Sequence, residues 1–81
     1  METILRLRCD DVLGGAIDRE TPTGLVTIAT VERRDGRLVV RLTPQEDHAG
    51  LEHLDGIQAQ DCNDLQRRLE GPDVAVTMPT A

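Results

Sequence analysis

The segment LVTIATVERRDGRLVVRL, residues 25–42, limits the fold more than any other feature of the chain. Its Asp35-Gly36 pair suits a two-residue type I′ turn, in which both central residues need positive φ. A turn of that length sets the register of the runs on either side. Arg34 then opposes Arg37, Arg33 opposes Leu38, Glu32 opposes Val39, Val31 opposes Val40, Thr30 opposes Arg41 and Ala29 opposes Leu42. Side chains alternate across a strand, so one face of this hairpin collects Leu25, Ala29, Val31, Leu38, Val40 and Leu42. The other collects Thr30, Glu32, Arg34, Arg37 and Arg41, with Val26, Ile28 and Val39 among them. A one-residue slip would turn the arginines inward, so the register is expected to be fixed.

Elsewhere the pattern is shorter and weaker. TILRLRC, residues 3–9, alternates as a strand, with Leu5, Leu7 and Cys9 on one face and Ile4, Arg6 and Arg8 on the other. In DDVLGGAIDRE, residues 10–20, Val12, Leu13, Ala16 and Ile17 recur at helical spacing, and Asp10 or Asp11 could cap them. Gly14 and Gly15 oppose a helix at about 1 kcal/mol each relative to Ala, so a short helix and an ordered loop both remain open. TPTG, residues 21–24, reads as a turn. In TPQE, Thr43, Pro44 and Glu46 have the spacing of a capping box, predicting a helix through Ala49, Leu51 and Leu54 that stops at Gly56. Asp61 can cap a second helical piece whose stripe is Cys62, Leu65 and Leu69, ended by Gly71-Pro72. A last strand turns Val74, Val76 and Met78 inward.

Assembled in order, these elements predict an α+β domain: a two-layer, mostly antiparallel four-stranded sheet with one or two helices packed on one face. The order matches a ferredoxin-like split βαβ arrangement, an architectural analogy that carries no function. Eighty-one residues make a single domain, 1–81. Twenty-one Leu, Ile and Val and no Phe, Tyr or Trp supply a small core, so modest stability or help from self-association is expected. No run resembles a signal peptide or a membrane span, which predicts a cytoplasmic protein. Cys9 and Cys62 are then expected to be reduced, although spacing alone leaves a bridge between them open.

Charge is distributed unevenly. All nine cations are arginine. Residues 1–43 carry equal numbers of arginines and carboxylates, whereas residues 44–81 hold the whole net charge of -6. Arg6, Arg8, Arg34, Arg37 and Arg41 fall on the predicted open side of the sheet, opposite an acidic helical layer. Arginine stems also cover apolar surface, so such a face can be solubilising cover. It can equally be a binding face, since arginine is enriched at protein interfaces.

Catalytic and metal chemistry find little to build on. His48 and His53 lie five residues apart, off the three- or four-residue spacing that shares a helix face, and neither cysteine belongs to a CxxC pair. No metal and no cofactor is predicted. A thiolate enzyme would need Cys9 or Cys62 beside an oriented histidine, and Cys62 reads as helix stripe. The Gly14-Gly15 pair lacks the context of a phosphate loop. Nucleic acid is disfavoured as a partner, because no aromatic residue can stack on a base and the acidic half repels phosphate. The sequence therefore predicts a small, non-enzymatic protein-interaction module of the inhibitor, adaptor or assembly-factor kind. Its partner is expected to be another protein with an acidic surface, or a second copy of itself, engaged through the five arginines, with no membrane role. The alternative is an arginine-mediated nucleic-acid or phosphate-ligand binder.

Overall fold

The computed structural model describes residues 2–44, 48 and 50–78. Six strands form one mixed sheet: β1 (Thr3–Asp10), β2 (Gly14–Thr21), β3 (Gly24–Arg34), β4 (Arg37–Leu42), β5 (Gln58–Ala59) and β6 (Val74–Thr77). A single helix, α1 (Cys62–Leu69), and a 3-10 turn at Glu52–Leu54 complete the regular elements among the described residues. Strand order is β5-β4-β3-β2-β1-β6, with every neighbouring pair antiparallel except β1 and β6. The sheet curls like half of a barrel. This corrects the expected four-stranded, two-layer α+β architecture and its ferredoxin-like order: the chain is mostly β-sheet, and one short helix covers part of one face.

The hairpin at Asp35-Gly36 forms in the expected register, from Arg34 against Arg37 to Ala29 against Leu42. Both turn residues adopt positive φ, 50° and 79°. Farther along β3 the alternation breaks. Ile17 pairs with Ala29 while Asp18 pairs with Thr27, so Ile28 is an extra residue on β3. Such a bulge lets two consecutive side chains reach the same side. Ile28 and Ala29 are both buried, and Leu25, expected inside, is 50% exposed.

Residues 10–20 hold the largest correction. Neither helix nor loop forms; a turn at residues 11–13 leads into β2, which lies between β1 and β3. Helical spacing of Val12, Leu13, Ala16 and Ile17 misled, because only Ile17 reaches the core, while Val12 and Leu13 are exposed. The glycine pair is required by close packing. A Cβ on Gly14 would collide with the Val31 carbonyl oxygen, and one on Gly15 with the Arg8 carbonyl oxygen. Gly14 also needs its φ of 83°.

The buried face of the sheet presents Leu5, Leu7, Ile17, Ala29, Val31, Leu38, Val40 and Val76, covered by Leu51, Leu54, Leu65 and Leu69. Each fully buried leucine contributes on the order of 1.5–3 kcal/mol. Helix α1 starts where expected: the Asp64 N–H donates to Asp61 Oδ1 at 2.8 Å, and Cys62, Leu65 and Leu69 form its buried stripe. Of the longer helix predicted after Thr43, the described residues show only the 3-10 turn at Glu52–Leu54. The Thr43 N–H and hydroxyl both donate to the Ile28 carbonyl, tying the chain to β3. Glu46 and Ala49 lie outside the described residues.

Cys9 and Cys62 are joined by a disulfide, with Cα atoms 5.8 Å apart, against the expectation that they are reduced. The bond ties β1 to the start of α1 across 53 residues of sequence. Closing a loop of that size stabilises a chain by about 4 kcal/mol in the loop-entropy account. A core without aromatic side chains thus gains a covalent staple, as small domains commonly require.

Candidate functional site

Alternation along β1, β3 and β4 brings all five predicted arginines to the open face of the sheet, opposite the core. They do not form one uniform patch. Across β1 and β2 the positive charge is matched in place. Arg8 donates from Nε to Asp18 Oδ2 at 2.9 Å and from Nη2 to Asp18 Oδ1 at 3.0 Å, a bidentate pair. The Thr27 hydroxyl donates to the same Oδ1 at 2.7 Å. Arg6 pairs with Glu20 at 3.2 Å, and Arg34 with Glu32 on its own strand at 3.3 Å.

Asp18 is the buried charged residue of this face, 6% exposed. Burial pushes its carboxyl upward. The Arg8 and Thr27 hydrogen bonds and the charges of Arg8 and Arg6 outweigh that push, leaving it below the usual aspartate value. These acidic partners were missed in the sequence because β2 was not recognised. The signal was present: Asp18 and Glu20 alternate in step with Arg6 and Arg8, as cross-strand partners do.

Along β4 the situation differs. Arg37 and Arg41 are exposed and flank half-buried Val39, and neither has an ion-pair partner among the described residues. Shallow recesses adjoin this strip. One of about 330 Å³ is lined by Arg34, Asp35, Arg37, Val39 and Gln58. A larger one of about 520 Å³ runs past β5 to Asp64 and Arg68. The Asp64 N-terminal position is held ionised by the Gln60 N–H first and then by Arg68, which lower its carboxyl.

The residues weighed for metal or thiolate chemistry are dispersed. Both cysteines are bonded to each other, removing the thiolates. His48 Nε2 meets the Thr43 carbonyl oxygen, and His53 is exposed on the 3-10 turn. Among the described residues no three His, Cys, Asp or Glu side chains gather as metal ligands.

A second surface feature had no counterpart in the sequence reading. Val12 and Leu13, 73% and 81% exposed, project from the β1–β2 turn. Asp10 Oδ1 accepts from the N–H groups of Val12 and Leu13 at 2.8 and 3.0 Å, and those bonds lower its carboxyl. Asp11 Oδ1 accepts from the Cys62 N–H at 2.8 Å, and the Asp11 carbonyl accepts from Arg33 Nη1 at 2.8 Å. With the disulfide, five bonds hold this turn. Comparison with family models, curated proteins and solved structures finds no match to the chain.

Proposed function

We propose that the chain is a small, non-enzymatic protein-interaction module that binds an acidic protein surface through the β4 strip, Arg37, Val39 and Arg41. One observation carries this reading: Arg6, Arg8 and Arg34 are paired with carboxylates on their own face, whereas Arg37 and Arg41 have no ion-pair partner among the described residues. Exposed cations beside an apolar side chain suit the mixed character of protein interfaces. The interspersed Asp18, Glu20 and Glu32 weigh against the alternative, nucleic-acid or phosphate binding, because they repel a polyanion laid across the sheet.

The site of action belongs to the same proposal. No helix among the described residues is long and apolar enough to cross a membrane. The cytoplasmic expectation rested on the lack of a signal-like or membrane-spanning run, with reduced cysteines as its consequence, and the Cys9–Cys62 disulfide weighs toward an oxidising compartment.

Affinity capture from the source organism with the wild-type protein and with Arg37→Glu/Arg41→Glu tests the reading. An acidic protein retained by the first and lost by the second, with circular dichroism unchanged, is the expected result. Titration of labelled RNA and DNA at two salt concentrations runs beside it. A partner held equally by both proteins would overturn the assignment, as would nucleic-acid binding whose affinity falls steeply with salt.

A further inference from the structure

The Cys9–Cys62 bond is a reactive group as well as a staple, because a thiolate can attack one sulfur and displace the other. Burial separates its two ends. Cys9 is partly exposed near the end of β1, whereas Cys62, the first residue of α1, is 6% exposed. Cys9 Sγ is therefore the sulfur that an incoming reagent reaches, and Cys62 is the one displaced.

Carboxylates crowd this approach. Asp10 follows Cys9 and Asp61 precedes Cys62, and both are exposed. Asp11, exposed on the turn, accepts from the Cys62 N–H at 2.8 Å, which places its side chain beside the disulfide. Nearby cations do not cancel them. Arg8, the other neighbour of Cys9, points to the opposite face of β1 and is paired with Asp18. Asp64 on α1 is matched by Arg68. Arg33 joins the site through its bond to the Asp11 carbonyl. Among the described residues, three carboxylates against that one guanidinium leave a local charge of -2. Such a field repels an anionic reagent and draws in a cationic one.

We infer that the Cys9–Cys62 bond is a thiol-exchange site selective for cationic thiols, shielded by Asp10, Asp11 and Asp61 from anionic thiols such as glutathione. In the first step the reagent thiolate bonds to Cys9 Sγ, the protein S–S bond breaks, and Cys62 leaves as a thiolate that takes a proton from water. A second reagent thiolate then attacks the reagent sulfur of the mixed disulfide and releases the Cys9 thiolate. The protein bond gains two electrons, and two reagent thiols become one reagent disulfide. Departure of Cys62 is common to every reagent, so reagent charge decides the difference in rate. None of this depends on the β4 strip.

Reduction of the native protein by cysteamine and by mercaptoethanesulfonate tests it, because the two reagents share a spacer and differ in charge. Each rate, at equal thiolate concentration, is divided by the rate on neutral bis(hydroxyethyl) disulfide. The corrected ratio should favour the cation by on the order of 10-fold at about 10 mM salt and fall below about 2-fold at about 1 M. Asp10→Asn/Asp11→Asn keeps both acceptor oxygens and removes two charges, so it should erase the preference. Glu20→Gln, on the open face at the far end of β2, should retain it. Acid quenching followed by peptide mapping should find the first reagent adduct on Cys9. Equal corrected rates, a preference that survives the double replacement, or a first adduct on Cys62 overturns the inference.

Discussion

The two turns at one end of the sheet are built on opposite principles. Between β3 and β4, Asp35 and Gly36 close the chain by backbone preference alone, and nothing lies within 4 Å of where a Gly36 Cβ would stand. Between β1 and β2, the turn depends on distant parts of the chain: the Cys62 N–H, the Arg33 guanidinium and the disulfide all hold it. Its glycines serve close approach of neighbouring strands, and Gly14 also supplies the positive φ that ends the turn. A locally determined hairpin can order before the rest of the domain, whereas the β1–β2 turn has only its Asp10 bonds to Val12 and Leu13 until α1 has docked.

Reduction should separate the two turns most strongly. Breaking the disulfide is expected to lower unfolding stability by about 4 kcal/mol, measured by urea denaturation with and without reductant. That is a large part of the 5–15 kcal/mol typical of a domain. In the reduced protein, amide exchange should accelerate around residues 10–15 before residues 33–38. Equal acceleration in both turns would erase the distinction.

Glycine replacement comes next in size. Gly15→Ala forces a methyl into the Arg8 carbonyl and should cost about 3 kcal/mol, the upper range for overpacking. Gly36→Ala meets open space and pays only for positive φ, about 1 kcal/mol. Thermal unfolding of the two variants compares them directly, and a reversed order would contradict the assigned packing.

Acid should act on the first turn. Asp10 and Asp18 have carboxyls lowered in the folded state, by backbone N–H groups at Asp10 and, at Asp18, by hydrogen bonds and arginine charge that outweigh burial. The stability they supply is therefore present above the ordinary aspartate value of about 3.9 and is lost as pH falls through the lower folded values. NMR titration of the Val12 and Leu13 amides should show midpoints below about 3.9. Midpoints above it would mean that the Asp10 bonds are absent in solution. The smallest effect is expected at Arg41→Ser, under about 0.5 kcal/mol by chemical denaturation, because this exposed side chain has no ion-pair partner among the described residues. A larger loss would make β4 a stability element rather than a binding strip.

The same contrast explains what could be read from the residues. Register, burial of Leu38 and Val40, and exposure of Arg37 and Arg41 follow from a two-residue turn and strict alternation, both local properties. The α1 stripe follows from its cap. Strand β2 was illegible because its inward positions include Gly15 and its outward ones Asp18 and Glu20, residue types that read as loop until Arg6 and Arg8 lie beside them. The bulge at Ile28 was illegible for a similar reason, since it appears only once β2 pairs with β3. Of the candidate site, the facing of the five arginines was legible. Their division into matched and unmatched groups was not, because the matching carboxylates come largely from the unrecognised strand.

The bond between Cys9 and Cys62 turns everything from β2 through β5 into a covalent ring. A protease cutting one peptide bond anywhere inside that ring opens it without detaching either piece. The nicked chain would migrate at nearly full mass until a reductant is added, and then divide in two. A ring of this kind also delays its own completion during synthesis. The thiol on β1 must wait for more than fifty further residues before its partner emerges from the ribosome.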